Sequence, residues 1–227
     1  MITVIDYGLG NTGSIINAFD RLGIRAKLTD SPKDLLNAKA VVFPGDGTAG
    51  QAMENLMKRE LIKPVKDYIS SGRPFLGICL GMQILLSFSK EGDVKCLDII
   101  RGKVEKLSGG LKVPQIGWNQ IKYQISPASP SEAGRANIKY QKDKEKIEKL
   151  FQRVSDGSYF YFINSYYCRL EDRRINIAET DYGQKFCSVF IKDNVVGVQF
   201  HPEKSGEIGL LLLNNFWRIT HAYYSSN

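Results

Sequence analysis

A cysteine framed by glycines, Gly77-Ile78-Cys79-Leu80-Gly81, is the stretch of this chain best suited to covalent chemistry. Pro74 to Ile78 is a short apolar run and Leu80 to Phe88 carries an apolar helical pattern, which places Cys79 on a turn from strand into helix. The two glycines let the backbone bend sharply there and let other segments approach closely. Backbone N–H groups at a helix head favour a thiolate and can hold an oxyanion, so this is the build of a nucleophile elbow with Cys in place of Ser. Most cysteines are instead inert core residues, and a nucleophilic thiol needs a base. The chain has only two histidines. His221 lies in the polar end of the last helix and reads as a surface residue. His201 follows the apolar run Val195 to Phe200 and opens His201-Pro202-Glu203-Lys204-Ser205. A His at a strand end can take a proton from Cys79, and Glu203 can orient its ring as the third member of a triad.

Gly77-Ile78-Cys79-Leu80-Gly81-Met82-Gln83 with the later Gln199-Phe200-His201-Pro202-Glu203-Lys204-Ser205 resembles the class I glutamine amidotransferases, whose domain hydrolyses glutamine and hands ammonia to a partner. Three further motifs point within that class to the glutaminase subunits of imidazole glycerol phosphate synthases, in histidine biosynthesis. They are Ile5-Asp6-Tyr7-Gly8-Leu9-Gly10-Asn11, Gly117-Trp118-Asn119 and Asn164-Ser165-Tyr166-Tyr167. The resemblance implies an oxyanion hole formed by the backbone N–H groups of Leu80 and Asp46. It implies that L-glutamine is held by Gly45, Gly47, Gln83, Glu91, Ser165 and Tyr166. A carboxylate such as Glu91 suits the glutamine α-ammonium. Asn11, Trp118 and Lys204 are implied to face the partner, a cyclase or synthase subunit of (β/α)8-barrel type in a heterodimer. No cofactor and no metal are implied. The chain departs from the family pattern at Asp46, where an apolar residue is usual, and at Gln115 and Asn164, where His is usual. A carboxylate beside a developing oxyanion is repulsive unless it turns outward. These departures keep a related amidotransferase of another pathway as an alternative.

At 227 residues the chain can bury one substantial core and is expected to be a single domain, with a polar insertion at about 126–149. Hydrophobic content of 43% and charged content of 24% are those of a soluble globular protein. No apolar run is long enough to span a bilayer and Met1 to Val4 reads as a strand, so no membrane association and a cytoplasmic location are expected. The net charge of +7 comes without a nucleic-acid-binding motif, and a solvated surface is the better reading; a basic face also suits an acidic partner surface or an anionic substrate. Cys96, Cys168 and Cys187 lack metal-type spacing and read as structural thiols.

Strands are expected at Ile2 to Asp6, Arg25 to Thr29, Ala40 to Phe43 and Pro74 to Ile78, with intervening helices near Ile15 to Leu22, after Ser31, at Ala52 to Lys58 and at Leu61 to Ile69. That alternation implies an α/β fold, a doubly wound, mostly parallel sheet with the elbow at a strand's carboxyl end. From Ile99 the period shifts to short strands up to Phe200, adding antiparallel strands in the second half, before a closing helix at Ile208 to Thr220. The turn Gly8-Leu9-Gly10-Asn11-Thr12-Gly13, with Asp30 after the next strand, also matches a dinucleotide-binding fingerprint, so a non-catalytic dinucleotide-binding module is a further alternative.

Overall fold

The computed structural model describes residues 1–108, 110–123 and 145–225. A twelve-stranded sheet organises them. Its parallel half runs in the order β2 (Ala26–Thr29), β1 (Ile2–Ile5), β3 (Ala40–Phe43), β4 (Phe75–Ile78) and β14 (Val195–Val198). β13 (Lys185–Lys192) pairs antiparallel with β14, and the order continues through β11 (Tyr166–Leu170), β7 (Ile100–Lys106), β5 (Leu86–Ser89) and β6 (Val94–Lys95). β12 (Asn176–Asp181) and β9 (Lys122–Tyr123) extend it beside β13, while β8 (Gln115–Gln120) and β10 (Tyr159–Asn164) form a separate two-stranded ribbon. The expected doubly wound sheet with antiparallel additions is the architecture found.

Helices cover both faces, as crossovers between parallel strands require. Helices α1 (Thr12–Arg21) and α7 (Gly206–Ser225) pack Ile15, Phe19, Leu212 and Phe216 on one side. Helices α2 (Pro32–Leu36), α3 (Ala49–Lys58) and α4 (Ile62–Ser70) pack Leu35, Leu56, Val65 and Tyr68 on the other. The N-cap of α2 is Ser31, which accepts from the Asp34 N–H, followed by Pro32 in the first turn. Tyr7, Phe43 and Phe75 pack edge to face at 5.1 and 6.0 Å on the side of the sheet covered by α3 and α4. Each such pair adds roughly 1 kcal/mol beyond its buried area.

Two expectations need correction. The helix after Cys79, α5, spans only Leu80–Gln83, and Leu86–Ser89 is strand β5. Leu86-Ser87-Phe88-Ser89 alternates apolar and polar residues, and its backbone is claimed by neighbours: the carbonyls of Ile84 and Leu86 accept from Leu97 and Asp98. Helix α7 exceeds its expected length at both ends, because Ser205 accepts from the Gly209 N–H and the Tyr224 hydroxyl anchors the far end on the Lys39 carbonyl at 2.8 Å. Of the expected insertion at about 126–149, residues 126–144 lie outside the described residues. Residues 145–150 form helix α6, and Ile147 and Leu150 pack on the core.

Candidate active site

Cys79 and His201 meet because they leave neighbouring parallel strands at the same edge. Strands β4 and β14 pair in register, Val198 opposite Ile78, and the Cys79 N–H donates to the Val198 carbonyl at 2.8 Å. Cys79 heads α5 at φ 53° and ψ −111°, a conformation rare for a residue with a side chain, and is 7% exposed. His201 is in hydrogen-bonding contact with its sulfur, and His201 Nδ1 bonds Glu203 Oε1 at 2.8 Å. The carboxylate can only accept, so Nδ1 carries the hydrogen and Nε2 is left for the sulfur. Burial favours a neutral ring, but the charge and hydrogen bond of Cys79, reinforced by those of Glu203, raise His201 to about 10. The imidazole therefore holds a proton at neutral pH, next to a nucleophile and oriented by a carboxylate whose side chain is 1% exposed. Such an arrangement can form a thioester and protonate a leaving amine.

The loop Pro44-Gly45-Asp46-Gly47 abuts the elbow and is held at several points. Tyr7 donates its buried hydroxyl to the Pro44 carbonyl at 3.0 Å. The Asp46 side chain turns outward, as electrostatics require beside an anion, and accepts from the Gly10 N–H at 2.7 Å. Glu91 Oε2 accepts from the Ala49 N–H at 2.9 Å, at the first residue of α3, and burial raises the Glu91 carboxyl above its ordinary range against the opposing effect of that bond. Gly45 and Gly81 lie backbone to backbone: a Cβ on Gly45 would overlap the Gly81 nitrogen, and one on Gly81 would overlap the Phe43 carbonyl oxygen. Gly81→Ala is therefore expected to destabilise the fold by roughly 3 kcal/mol, at the upper end for overpacking, because rigid backbone rather than a mobile side chain blocks the new methyl. A urea-unfolding midpoint unchanged from wild type would refute this contact.

The remaining residues singled out from the sequence fall around the same edge. Gln83 is 4% exposed, and its amide nitrogen donates to the Tyr166 carbonyl at 2.9 Å and to Gln199 Oε1 at 3.0 Å. The Ser165 carbonyl accepts from the Leu107 N–H at the break between β10 and β11. Asn11 caps α1 through its side chain, which accepts from the Ser14 N–H, and Asp30 pairs with Arg59 at 3.2 Å. The Ser14 N–H and the Asp30 carboxylate of this dinucleotide-like turn are thus engaged within the chain. Trp118 is 51% exposed and meets the Tyr161 ring edge to face at 5.9 Å; with Ile116 and Tyr159 it forms an apolar outer face on the β8–β10 ribbon. The ribbon borders the site directly, since the Tyr161 carbonyl accepts from the His201 N–H and the Ile163 carbonyl lies 3.7 Å from Cys79 Sγ. Lys204 is exposed beside it. Gln115 and Asn164, the two departures from His, are opposite one another across the ribbon and both buried. Each donates an amide bond, to Asn119 and to the Tyr166 carbonyl respectively.

Sequence reasoning passed over Tyr7 and Gln199. A signal existed for Gln199: one polar side chain inside the apolar run 195–200 must find a partner once buried. The other three cysteines are buried and free, and burial drives all three thiols up, Cys96 to about 12. Among the described residues no cluster of three or more His, Cys, Asp or Glu is placed to hold a metal ion, and no helix is long and apolar enough to cross a membrane.

Residues 3–219 match the family model for glutamine amidotransferase class-I. The chain is 42% identical over 220 residues to the imidazole glycerol phosphate synthase subunit HisH of Dehalococcoides mccartyi, covering 96% of this chain and 97% of that protein. It is 44% identical over 224 residues to the subunit of the same name from Chloroflexus aurantiacus, covering 98% and 97%. Among solved structures, one titled a glutamine amidotransferase superposes with a TM-score of 0.70 at 16% identity, covering 97% of this chain and 100% of that one. A glutamine amidotransferase from Thermotoga maritima superposes with a TM-score of 0.57 at 17% identity, covering 98% and 84%. With a thiol at a strand-to-helix turn, an imidazole delivered by the neighbouring parallel strand, and a family match over nearly the whole length, this chain belongs to the class I glutamine amidotransferases.

Proposed function

We propose that this chain is the glutaminase subunit of an imidazole glycerol phosphate synthase, a single amidotransferase domain working in the cytoplasm in histidine biosynthesis. The observation that carries the reading is the interaction of Cys79 with His201, itself held by Glu203, in a chain about 40% identical to HisH subunits over nearly its full length. Cys79 attacks the side-chain amide carbon of glutamine as a thiolate, and the carbonyl electrons move onto oxygen. The Leu80 and Asp46 N–H groups hold that oxyanion; Leu80 opens α5, whose first N–H groups have no intrahelical acceptor. His201 Nε2 gives its proton to the departing nitrogen, leaving ammonia and a thioester. Water, deprotonated by His201, then cleaves the thioester to glutamate, expels the sulfur as thiolate and restores the thiolate–imidazolium pair.

Gly45, Gly47, Ser165 and Tyr166 present main chain to the substrate, Gln83 supports that wall, and Glu91 faces the α-ammonium. The partner is a cyclase of (β/α)8-barrel type, bound as a heterodimer across the edge that carries Asn11, Trp118 and Lys204. The exposed aromatic face of the ribbon supports this placement, since aromatic anchors dominate interface energetics. The test is glutamine hydrolysis by the chain alone and with the cyclase partner and its nucleotide substrate. Stimulation is expected; hydrolysis with no stimulation would retain the amidotransferase and discard this synthase. Trp118→Ala is expected to weaken association by roughly 2 kcal/mol, ~30-fold in Kd, as for an interface anchor. A titration by calorimetry with unchanged affinity would move the interface elsewhere.

A further inference from the structure

Gln199 is wholly buried and lies between Gln83 and the nucleophile Cys79. Its Oε1 accepts from Gln83 Nε2 at 3.0 Å, and its Nε2 lies 3.6 Å from Cys79 Sγ. The direction of this amide is not arbitrary. Gln83 Nε2 also donates to the backbone carbonyl of Tyr166, which can only accept. That contact requires the nitrogen of Gln83 to face Tyr166 and Gln199, which requires the oxygen of Gln199 to face Gln83 and its nitrogen to face the sulfur. A single carbonyl, at the start of β11, thereby sets the polarity of two side-chain amides in series and ends the series with an N–H pointed at Cys79.

We propose that Gln199 is a positioning residue that donates a hydrogen bond to the Cys79 thiolate, with its orientation enforced through Gln83 by the Tyr166 carbonyl. The proposal rests on the reading of Cys79 as the nucleophile and adds to it a donor beyond His201 and the backbone. Hydrogen bonds to a charged partner are about twice as strong as neutral ones, and a buried donor has no water to turn to instead. Gln199 also gives the sulfur a fixed direction. Of its other neighbours, the Ile163 carbonyl can accept from a thiol and has nothing to offer a thiolate. With Tyr166 presented to the substrate as in the proposed function, glutamine binding and sulfur orientation are linked through one short chain of hydrogen bonds.

The titratable groups facing Cys79 are His201 and, behind it, Glu203, with Tyr7 from beyond β1 and Cys168 on β11. Both Tyr7 and Cys168 are raised by burial and stay uncharged near neutrality, so the pH dependence of alkylation is expected to report on the sulfur, the imidazole and their hydrogen bonds. The test is the rate of iodoacetamide alkylation of Cys79 between pH 5 and 10, in the whole chain, for wild type, Gln199→Met and Gln199→Glu, with circular dichroism melts run alongside. Methionine fills the same space without a donor. Glutamate keeps the acceptor for Gln83 and turns an oxygen toward the sulfur. Both are expected to move the midpoint of alkylation upward, methionine by about one pH unit and glutamate by more, one unit being a tenfold change in the ionisation equilibrium. If Gln199→Met does not fold, Gln83→Met supplies the same reading, since it frees the Gln199 amide to turn and is expected to give a smaller upward shift. Variants that fold and alkylate with the wild-type midpoint would overturn the proposal. A wild-type Cys79 that resists alkylation throughout, and is not protected by glutamine, would instead overturn the nucleophile assignment on which it rests.

Discussion

Cys79→Ala is expected to reduce glutamine hydrolysis by on the order of 10⁶-fold, the scale of loss when the nucleophile of a catalytic triad is removed. The substitution deletes one atom. Alanine keeps the Cβ at the strained turn, so the backbone at φ 53° bears the same strain as before, and the hydrogen bond from the residue 79 N–H to the Val198 carbonyl is untouched. What disappears is the sulfur that lies in contact with His201, 3.6 Å from Gln199 Nε2 and 3.7 Å from the Ile163 carbonyl. No other cysteine can substitute for it. Cys96, Cys168 and Cys187 are buried, and burial raises all three thiols away from the reactive form. The measurement is glutamate release by the purified variant, with a melting curve to show that the fold persists. A rate within tenfold of wild type would remove Cys79 from the mechanism.

His201→Ala is expected to lower the same rate by about 10⁴-fold, the upper end for a general acid–base, because one imidazole serves both proton transfers and also sits against the charged sulfur. Glu203→Gln is expected to act far more mildly, with a loss of roughly tenfold, the difference between a charged and a neutral hydrogen-bond acceptor. The reason is geometric. Glu203 Oε1 accepts from His201, while Oε2 has no partner among the described residues. No N–H therefore obliges a glutamine at 203 to direct its oxygen away from the ring, and its carbonyl can keep the Nδ1 hydrogen in place. The imidazole should nonetheless titrate lower, since the loss of the carboxylate removes its negative charge, one of the influences that hold His201 at about 10. With only His201 and His221 in the chain, imidazole NMR can follow the change directly. A loss as large for Glu203→Gln as for His201→Ala would show that the glutamine turns its nitrogen to the ring and imposes the wrong tautomer.

The amino-acid sequence by itself determined the first half of the fold and the chemical identity of the site. Alternating apolar strands and amphipathic helices up to Ile78 have periods that differ enough to be told apart, and Ser31-Pro32 marks a helix start by its own side-chain chemistry. The glycines around Cys79 likewise announce a bend, because only they tolerate the backbone contacts found at Gly77 and Gly81. Legibility ended where a segment's state depends on its neighbours. Leu86-Ser87-Phe88-Ser89 suits a helix and a strand alike, and the choice was made by backbone partners on β6 and β7.

Only the tertiary structure decided that β14 lies beside β4, which is what brings His201 to Cys79; no local pattern encodes which of several apolar strands becomes the neighbour. The outward turn of Asp46 depends on Gly10 being within reach, and the pairing of Gln115 with Asn164 depends on the register of a ribbon whose strands are distant in the chain. The direction of the Gln199 amide is likewise a non-local result, set through Gln83 by a carbonyl on a third segment. Residue types and short spacings declare what chemistry is available, because they act through the covalent chain. Distances between groups far apart in sequence are settled by the packing of the whole sheet, and catalysis depends on those distances.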